Sequence, residues 1–235
     1  MLSVSIIVPV FNEEKTIIKI LKLIKEKIIN LNNFNFEIII VDDCSTDNTK
    51  SLLEENKNLY NFYCSNLKNS GKGFCIKEGI KHSKNDIILI QDSDLEYLPE
   101  NYDKLLRPFV DFDADVVYGS RFKTTELNRV LFFWHSIANN IITLISNIFS
   151  NLNLSDVEVG YKVFKREILN RINLNQKSFG FEIEVTHKIA NLKPKIKIFE
   201  VGISYFGRSY AEGKKITIKD AVWAIYCILR YGIFK

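Results

Sequence analysis

Several hallmarks of common protein classes are missing from this sequence of 235 residues. Its four cysteines form no CxxC pair and lack metal-ligand spacing, so we expect free thiols in a reducing cytoplasm rather than disulfides or a zinc site. The three histidines are likewise not at metal-ligand spacing. We find no internal repeat, and we expect no signal peptide, because Met1-Leu2-Ser3 leads directly into an apolar strand pattern.

The chain also lacks a large excess of positive or negative charge. The net charge is +4 with 26% charged residues, which is too little by itself to indicate a nucleic-acid partner, and we expect none. From Phe206 onward the sequence contains six basic and two acidic residues, so the excess positive charge of this tail equals that of the whole chain. This concentration favours peripheral contact with a membrane.

Two nucleotide-binding signatures are absent as well. The stretch Ser70-Gly71-Lys72-Gly73 matches neither the P-loop pattern GxxxxGK[ST] nor GxGxxG, which argues against a kinase-like phosphate grip and a Rossmann dinucleotide site. Its glycines would still let backbone amides approach an anion, and Lys72 would add positive charge.

The first half of the chain alternates between strand and helix patterns. Short apolar runs predict strands at Ser3–Pro9, Phe36–Val41, Leu59–Cys64, Asp86–Gln91 and Asp115–Gly119. Helical patterns separate them at Glu13–Leu31, from Ser45 to about Asn56, within Gly71–His82 and at Pro99–Val110. Continuous apolar strands that alternate with helices predict an α/β fold, in which a mostly parallel, Rossmann-like sheet is flanked by helices.

The alternation ends after Arg121. We predict one long helix at Glu126–Ser150, a mixed segment to Arg171, a helix at Phe179–Leu192, a strand at Lys195–Phe206 and a final helix at Thr217–Gly232. No linker separates these elements from the first half, so we expect one domain with added C-terminal amphipathic helices.

The helix pattern at Val130–Phe149 raises the question of a membrane span. Its twenty residues carry no formal charge and approach the ~20 residues that span a bilayer. Polar side chains nevertheless fall on one stripe (136, 139/140, 143 and 146/147), so the pattern is amphipathic and we expect no transmembrane helix. The helix either packs on the core or touches the bilayer surface, and Thr217–Lys235 allows the same two interpretations.

Polar clusters follow four of the predicted strands. They are Phe11-Asn12-Glu13, Asp42-Asp43, Asp92-Ser93-Asp94 and Ser120-Arg121. In α/β sheets, ligands bind beyond the carboxyl ends of the strands, which is where these clusters lie.

The chemistry of two clusters suggests ligands. Asp92, Asp94 and Glu96 alternate, and such hard oxygen ligands suit Mg²⁺ or Mn²⁺ carrying a diphosphate, although they could instead cap the following turn. Asp42 could accept from ribose hydroxyls or a base N–H, or cap the next helix.

Eight stretches together resemble glycosyltransferase family 2 with the GT-A fold, and specifically its polyprenyl-phosphate branch, the dolichyl-phosphate mannosyltransferase-like enzymes. They are IIVPVFNEE (6–14), VDDCSTDNT (41–49), NSGKGFCIKEGI (69–80), QDSDLEY (91–97), DVVYGSRF (115–122), GYKVFKRE (160–167), FGFEIEVTHKIA (179–190) and ISYFGRSYAEGKKI (203–216). They follow the family's order along nearly the whole chain.

The resemblance implies roles for individual residues. Asp92, Asp94 and Glu96 would hold the metal, although Glu96 stands where related enzymes often have Gln. Asp94, Arg121 and Arg208 would be catalytic. The nucleotide sugar would be bound by Pro9, Phe11 (where the family usually has Tyr), Glu13, Val41, Asp42, Lys72, Asp92, Ser93, Arg121, Arg208 and Lys214.

The resemblance also implies a reaction and a place. We expect an inverting, metal-dependent transfer from a nucleotide sugar, such as GDP-mannose or a UDP-glucose-like donor, to polyprenyl (dolichyl or undecaprenyl) phosphate. Residues 1–122 would bind the donor, residues 123–235 would face the acceptor and the membrane, and the enzyme would work at the cytoplasmic membrane face.

Other functions stay open from the sequence. The acceptor could be a saccharide hydroxyl in cell-surface glycan synthesis, which would need a general base, and Glu182, Asp156 or Asp94 could serve. A non-catalytic scaffold is disfavoured by the intact acidic set. A nucleotidyltransferase would usually open with a Gly-rich, basic loop, whereas this chain opens with VPVFNEE.

Overall fold

The fold is a seven-stranded sheet flanked by helices, as expected from the alternation of strands and helices. The computed structural model describes residues 1–123, 127–130, 132–209, 212 and 218–233. The strands are β1 (Leu2–Val10), β2 (Phe34–Asp42), β3 (Phe62–Ser65), β4 (Ile87–Ile90), β5 (Val116–Ser120), β6 (Lys162–Lys165) and β7 (Ile198–Gly202). The helices are α1 (Ile17–Ile29), α2 (Thr49–Glu55), α3 (Lys72–His82), α4 (Tyr102–Asp111), α5 (Phe133–Ser150), α6 (Arg166–Asn170), α7 (Phe181–Ala190) and α8 (Ile218–Gly232).

The sheet is mostly parallel, with strand order β3-β2-β1-β4-β6-β5-β7. Strand β6 runs antiparallel to both β4 and β5, whereas β1 pairs in parallel with β2 and β4, and β5 with β7. Consequently β1, β2, β4 and β5 all point the same way. The segments that follow them therefore emerge at one edge of the sheet. This agrees with the prediction that the polar clusters lie beyond the carboxyl ends of the strands.

The central strands form the core because both of their faces are covered. All four residues of β4 are buried, as are Val4–Val10 of β1 and Ile38–Val41 of β2. Successive side chains of a strand point to opposite faces, so this unbroken burial means that helices pack on each side.

Three predictions for the second half needed correction. The helix predicted at Glu126–Ser150 begins at Phe133, and Asn128 instead forms an isolated bridge with Tyr205. The segment to Arg171 contains β6, which the sequence had not indicated as a strand. The strand predicted at Lys195–Phe206 is confined to Ile198–Gly202.

Helices α5, α7 and α8 pack against one another beside the sheet. On α5 the buried residues are Ile142, Thr143 and Ser146, whereas Trp134, Leu144 and Ile148 are exposed. Apart from the exposed Asn140, the polar stripe of this helix therefore faces the protein, and much of its apolar side faces outward. Across the described residues, no helix is both long enough and apolar enough to cross a membrane.

Candidate functional site

The candidate site lies at the carboxyl edge of the sheet, where the ends of β1, β2, β4 and β5 meet. Hydrogen bonds join the loops there: Ser93 donates to the carbonyl of Pro9 at 3.1 Å, and the amide of Asn12 donates to Ser45 at 3.0 Å. These hydrogen bonds join the loops after β1, β2 and β4, three of the four polar clusters.

Arg208 lies among the carboxylates of Glu13, Asp94 and Glu96, which we call the acidic cluster. Its guanidinium lies 2.7 Å from Asp94 Oδ2, 3.3 Å from Glu13 Oε1 and 3.4 Å from Glu96 Oε1. The backbone amide of Arg208 also donates to Glu96 Oε1 at 2.9 Å. The structure thus brings together four residues that the sequence assigned to the site, with the predicted phosphate-binding arginine paired to predicted metal ligands.

Asp92 is paired with a different cation. The Lys72 ammonium lies 2.8 Å from Asp92 Oδ1 and 3.2 Å from Glu182 Oε1. Burial alone would lower the pKa of Lys72, but Asp92 and Glu182 raise it above its usual range, so the side chain stays charged. In this conformation Lys72 holds two carboxylates together.

The carboxylates crowd each other. Burial raises the pKa of Asp94, the negative charges of Asp92 and Glu96 raise it further, and Arg208 only partly opposes them. A further cation, in addition to Lys72 and Arg208, would relieve the repulsion between these carboxylates. The site therefore carries unfavourable negative charge that a divalent metal would stabilise.

The acidic set fits a metal that also binds substrate. Among the described residues, no three His, Cys, Asp or Glu side chains converge closely enough to hold an ion by themselves. Mg²⁺ usually takes one or two protein carboxylates and completes its shell with water and phosphate oxygens. Asp92 and Asp94 could supply those carboxylates, whereas Glu96 accepts from Tyr205 Oη at 2.9 Å and from the backbone amide of Arg208, and so anchors the 205–208 loop.

Several residues that the sequence predicted to bind the nucleotide sugar are buried or half-buried. Asp42 is 1% exposed and accepts hydrogen bonds from the amide of Ser45 at 3.1 Å and the hydroxyl of Ser65 at 3.0 Å. Val41 is fully buried and pairs with Pro9 in the sheet, while the ring of Phe11 is half-buried. Asp42 therefore accepts hydrogen bonds from residues near the strand ends and does not cap α2, which begins at Thr49 with its amide bonded to Asp47.

The Gly-rich stretch at the start of α3 binds a carboxylate of the protein itself. The amides of Ser70 and Gly71 donate to Asp43 at 2.9 and 2.6 Å, and Gly71 has φ +95°, which glycine adopts without strain. We predicted that backbone amides of this stretch would bind an anion. Two of them, of Ser70 and Gly71, instead donate to Asp43, which is 3% exposed.

Arg121 is held in a separate, rigid arrangement. Its Nε and Nη2 donate to the two oxygens of Asp156 at 2.6 and 2.7 Å, and Nη2 also donates to Asn139 Oδ1 at 3.1 Å. The guanidinium lies 5.3 Å from the ring centre of Tyr205, which bonds Glu96. Arg121 and the acidic cluster are therefore connected through one tyrosine.

Sequence reasoning missed several residues of this site. It did not single out Asn139 or Tyr205, nor the fully buried Lys162 and the half-buried Glu158 near Asp156. Burial lowers the pKa of Lys162 and raises that of Glu158. The stretch DVEVGYK carried the signal, because three charged residues in seven are unusual in a segment this apolar. Lys214 lies outside the described residues.

A sequence model described as Glycosyl transferase family 2 matches residues 5–172, which include most of β1, all of β2 to β6, and the carboxylates Asp42, Asp43, Asp92, Asp94 and Glu96. The chain belongs to glycosyl transferase family 2. The predicted family is therefore confirmed, and with it the expectation of a glycosyltransferase enzyme.

Three relatives of this family 2 chain have names that share an acceptor. A dolichyl-phosphate beta-glucosyltransferase of Trichomonas vaginalis is 26% identical over 98% of this chain and 73% of its own length. A dolichol-phosphate mannosyltransferase of Pyrococcus furiosus is 25% identical, over 98% and 64%. A UDP-N-acetylglucosamine–dolichyl-phosphate N-acetylglucosaminyltransferase of Methanococcus voltae is 27% identical, over 97% and 96%.

A solved structure confirms the GT-A fold of this family 2 chain. The glucosyl-3-phosphoglycerate synthase of Mycobacterium tuberculosis, crystallised with Mn²⁺, UDP-glucose and phosphoglyceric acid, superposes with a TM-score of 0.76. The match covers 98% of this chain and 80% of the synthase, at 18% identity. At that identity the similarity concerns the fold alone.

Proposed function

We propose that this family 2 glycosyltransferase moves a sugar from a nucleotide-sugar donor to a polyprenyl phosphate at a membrane surface, with the help of Mg²⁺ or Mn²⁺. The observation that carries the proposal is the position of Arg121. It lies between the acidic cluster, to which Tyr205 connects it, and α5, whose Asn139 contacts it and whose outer side is apolar.

The named relatives support the acceptor more than the donor. They transfer glucose, mannose and N-acetylglucosamine according to their names, yet all three names include dolichol or dolichyl phosphate. The acceptor class is what they share. We therefore propose polyprenyl phosphate as the acceptor and leave GDP-mannose and UDP-glucose-like donors as alternatives for the assay.

A phosphate acceptor also suits the electrostatics of the site. The second pKa of a phosphate monoester is about 6, so the acceptor is largely dianionic at neutral pH and needs no strong base. The carboxylates that could serve as a base are all ion-paired: Asp156 with Arg121, Glu182 with Lys72, and Asp94 with Arg208. No observation favours a saccharide hydroxyl as acceptor.

Two arginines would handle phosphate. Arg121 already donates from Nε and Nη2 to Asp156 and from Nη2 to Asn139, so Nη1 would donate to the acceptor phosphate. Because Asp156 holds the side chain, little rotamer freedom would be lost on binding. We assign Arg121 to the acceptor phosphate. Arg208 would turn from Asp94 toward the donor diphosphate, and the acceptor oxygen would attack the anomeric carbon opposite the leaving nucleoside diphosphate.

Asp92 and Asp94 would hold the metal. When bound, the ion would stabilise negative charge on the leaving diphosphate. Lys72 would keep Asp92 oriented, and Glu96 would fix the 205–208 loop against the cluster. The crystallised synthase binds Mn²⁺ with UDP-glucose on the same fold, which supports a divalent ion here.

Membrane contact would come from an apolar surface on two packed helices, which we call the lipid face. Its members are Phe133, Trp134, Ile141, Leu144 and Ile148 of α5 with Val222, Trp223, Tyr226 and Leu229 of α8, all at least 40% exposed. An exposed apolar surface of this extent is rare on monomeric soluble proteins and marks an interaction site. We propose that residues 123–235 supply this face, that residues 1–122 together with Arg208 bind the donor, and that the enzyme works at the cytoplasmic membrane face.

A donor screen tests the proposal. The chain would be incubated with individual nucleotide sugars, Mg²⁺ or Mn²⁺, and either polyprenyl phosphate in vesicles or free glycans, and released nucleoside diphosphate would be measured. We expect release with at least one donor that depends on both metal and polyprenyl phosphate. Turnover on glycans alone would overturn the acceptor assignment.

A further inference from the structure

Helix α5 has two chemically different sides. Its outer side carries the five α5 members of the lipid face. Its inner side carries Asn139, Thr143, Ser146 and Asn147, each of which makes a hydrogen bond within the protein. A helix that turns polar groups inward and apolar groups outward suits an environment less polar than water on its outer side.

The inner side is attached to the segment that carries Asp156. Thr143 Oγ1 accepts from the amide of Val157 at 3.2 Å. The side chain of Asn147 bonds both backbone groups of Leu154, at 2.7 and 3.1 Å. These bonds place α5 and residues 154–157 in one fixed relationship, on either side of Arg121.

Asn139 completes this relationship at the guanidinium. Its carbonyl oxygen accepts from Arg121 Nη2 at 3.1 Å, while its amide nitrogen donates to Asp156 Oδ1 at 3.2 Å. An amide suits this position, because it accepts from a cation and donates to an anion at once. A carboxylate here would repel Asp156, a lysine would repel Arg121, and an apolar side chain would leave Arg121 fixed from one side only.

We infer that Asn139 is a positioning residue for Arg121, so that α5 serves both ends of the acceptor: its inner side orients the guanidinium for the phosphate, and its outer side contacts the bilayer that holds the lipid tail. The inference rests on the proposed function. Asn139 is not itself a catalytic residue, because its contacts are with Arg121 and Asp156.

The test compares four variants of α5 on two acceptors: Asn139→Ala, Asn139→Gln, Leu144→Asp and Asn140→Ala. Asn139→Ala removes the bridge, Leu144→Asp alters the lipid face, and Asn140→Ala changes an exposed neighbour as the matched control. The acceptors are polyprenyl phosphate in phosphatidylcholine–phosphatidylglycerol vesicles and a short, water-soluble isoprenyl phosphate. The KM for each acceptor, the KM for the donor, kcat and vesicle sedimentation are measured.

Asn139→Ala is expected to raise the KM for both acceptors about tenfold, because a hydrogen bond to a charged group is lost, and to leave the donor KM and vesicle binding as in Asn140→Ala. Leu144→Asp is expected to raise the KM of the vesicle acceptor more than that of the soluble one. Asn139→Gln, which keeps an amide, is expected to recover part of the loss and also serves if the alanine variant folds poorly.

Three results would overturn the inference: unchanged acceptor KM values in Asn139→Ala, an equal rise in donor and acceptor KM, or an effect confined to the vesicle acceptor. A wild-type chain that turns over glycans but neither phosphate acceptor would refute the proposed function, and the inference with it. Failure of the inference alone is recognised by a wild type that is active on both phosphates.

Discussion

The guanidinium of Arg208 donates to Asp94 at 2.7 Å, although the two residues lie 114 positions apart in the chain. This pair puts a protein cation among the carboxylates proposed to hold the metal. In the proposed function the metal and Arg208 would therefore compete for the same negative charge, and donor binding would require the pair to rearrange.

Replacing Arg208 should separate metal binding from catalysis. In Arg208→Gln the competing cation is gone, so we expect Mn²⁺ to bind roughly tenfold more tightly while sugar transfer falls because a phosphate-binding group is lost. Free Mn²⁺ is measured by electron paramagnetic resonance without substrates. Arg107→Gln, at an exposed ion pair on α4, is the control. Unchanged or weaker Mn²⁺ binding in Arg208→Gln would refute the competition.

The pair of Arg121 and Asp156 should matter for stability as well as for activity. Asp156 is fully buried, and its removal would leave the Arg121 charge inside the protein without its carboxylate. We expect Asp156→Ala to lower the free energy of unfolding by about 3–5 kcal/mol in urea titrations. Glu54→Ala, which breaks the exposed pair with Lys50, should cost less than about 1 kcal/mol. Equal losses in the two variants would contradict this.

His187 should make stability depend on pH. It is fully buried, its Nε2 lies 3.1 Å from Ser146 Oγ, and burial lowers its pKa to about 4 from an ordinary 6.5. The folded state thus favours neutral His187, so this contribution is fully present above pH 6.5 and declines as pH falls toward 4.

The expected loss between pH 7 and pH 4.5 is about 2–3 kcal/mol from this residue. Other acids also titrate in that range, so the comparison is between the wild type and His187→Gln. The free energy of unfolding is measured by denaturant titration at both pH values. The variant should lose less stability than the wild type over this interval, and parallel losses would show that His187 is not the cause.

The lipid face should bind vesicles. Ile148 on α5 is 68% exposed, and Ile148→Asp places a charge where we propose contact with the bilayer. We expect its partition onto vesicles containing anionic lipid to fall about tenfold or more in sedimentation assays. Val110→Asp, at an exposed apolar position on α4 outside the lipid face, should bind like the wild type. Equal binding by all three would leave the lipid face without a membrane role.

Much of the fold was predictable because the central strands are continuous apolar runs between helices. Strand β6 was not, since KVFK is only four residues long and pairs with β4 and β5, strands distant in sequence. The amphipathic stripe of α5 was also visible in the sequence. The sequence did not show which side of α5 faces the protein, because that depends on contacts with the 154–157 segment, which includes Asp156.

The composition of the site was easier to predict than its internal pairing. Carboxylates at the ends of β2 and β4 could be read from their positions after apolar runs. The pairing of Lys72 with Asp92 and of Arg208 with Asp94 could not, because these contacts arise only when distant loops meet at the sheet edge. Periodicity reports local structure and says nothing about such contacts.

The most direct test is to follow a labelled sugar from the donor into the organic phase. With wild-type chain, Mn²⁺, a productive donor and polyprenyl phosphate, we expect mass spectrometry to detect a polyprenyl phosphate that carries the sugar. Asp94→Ala, folded as judged by circular dichroism, should form none, and a chelator should abolish the wild-type product. Undiminished lipid-linked sugar from Asp94→Ala, or label found in glycan and absent from lipid, would contradict the proposed reaction.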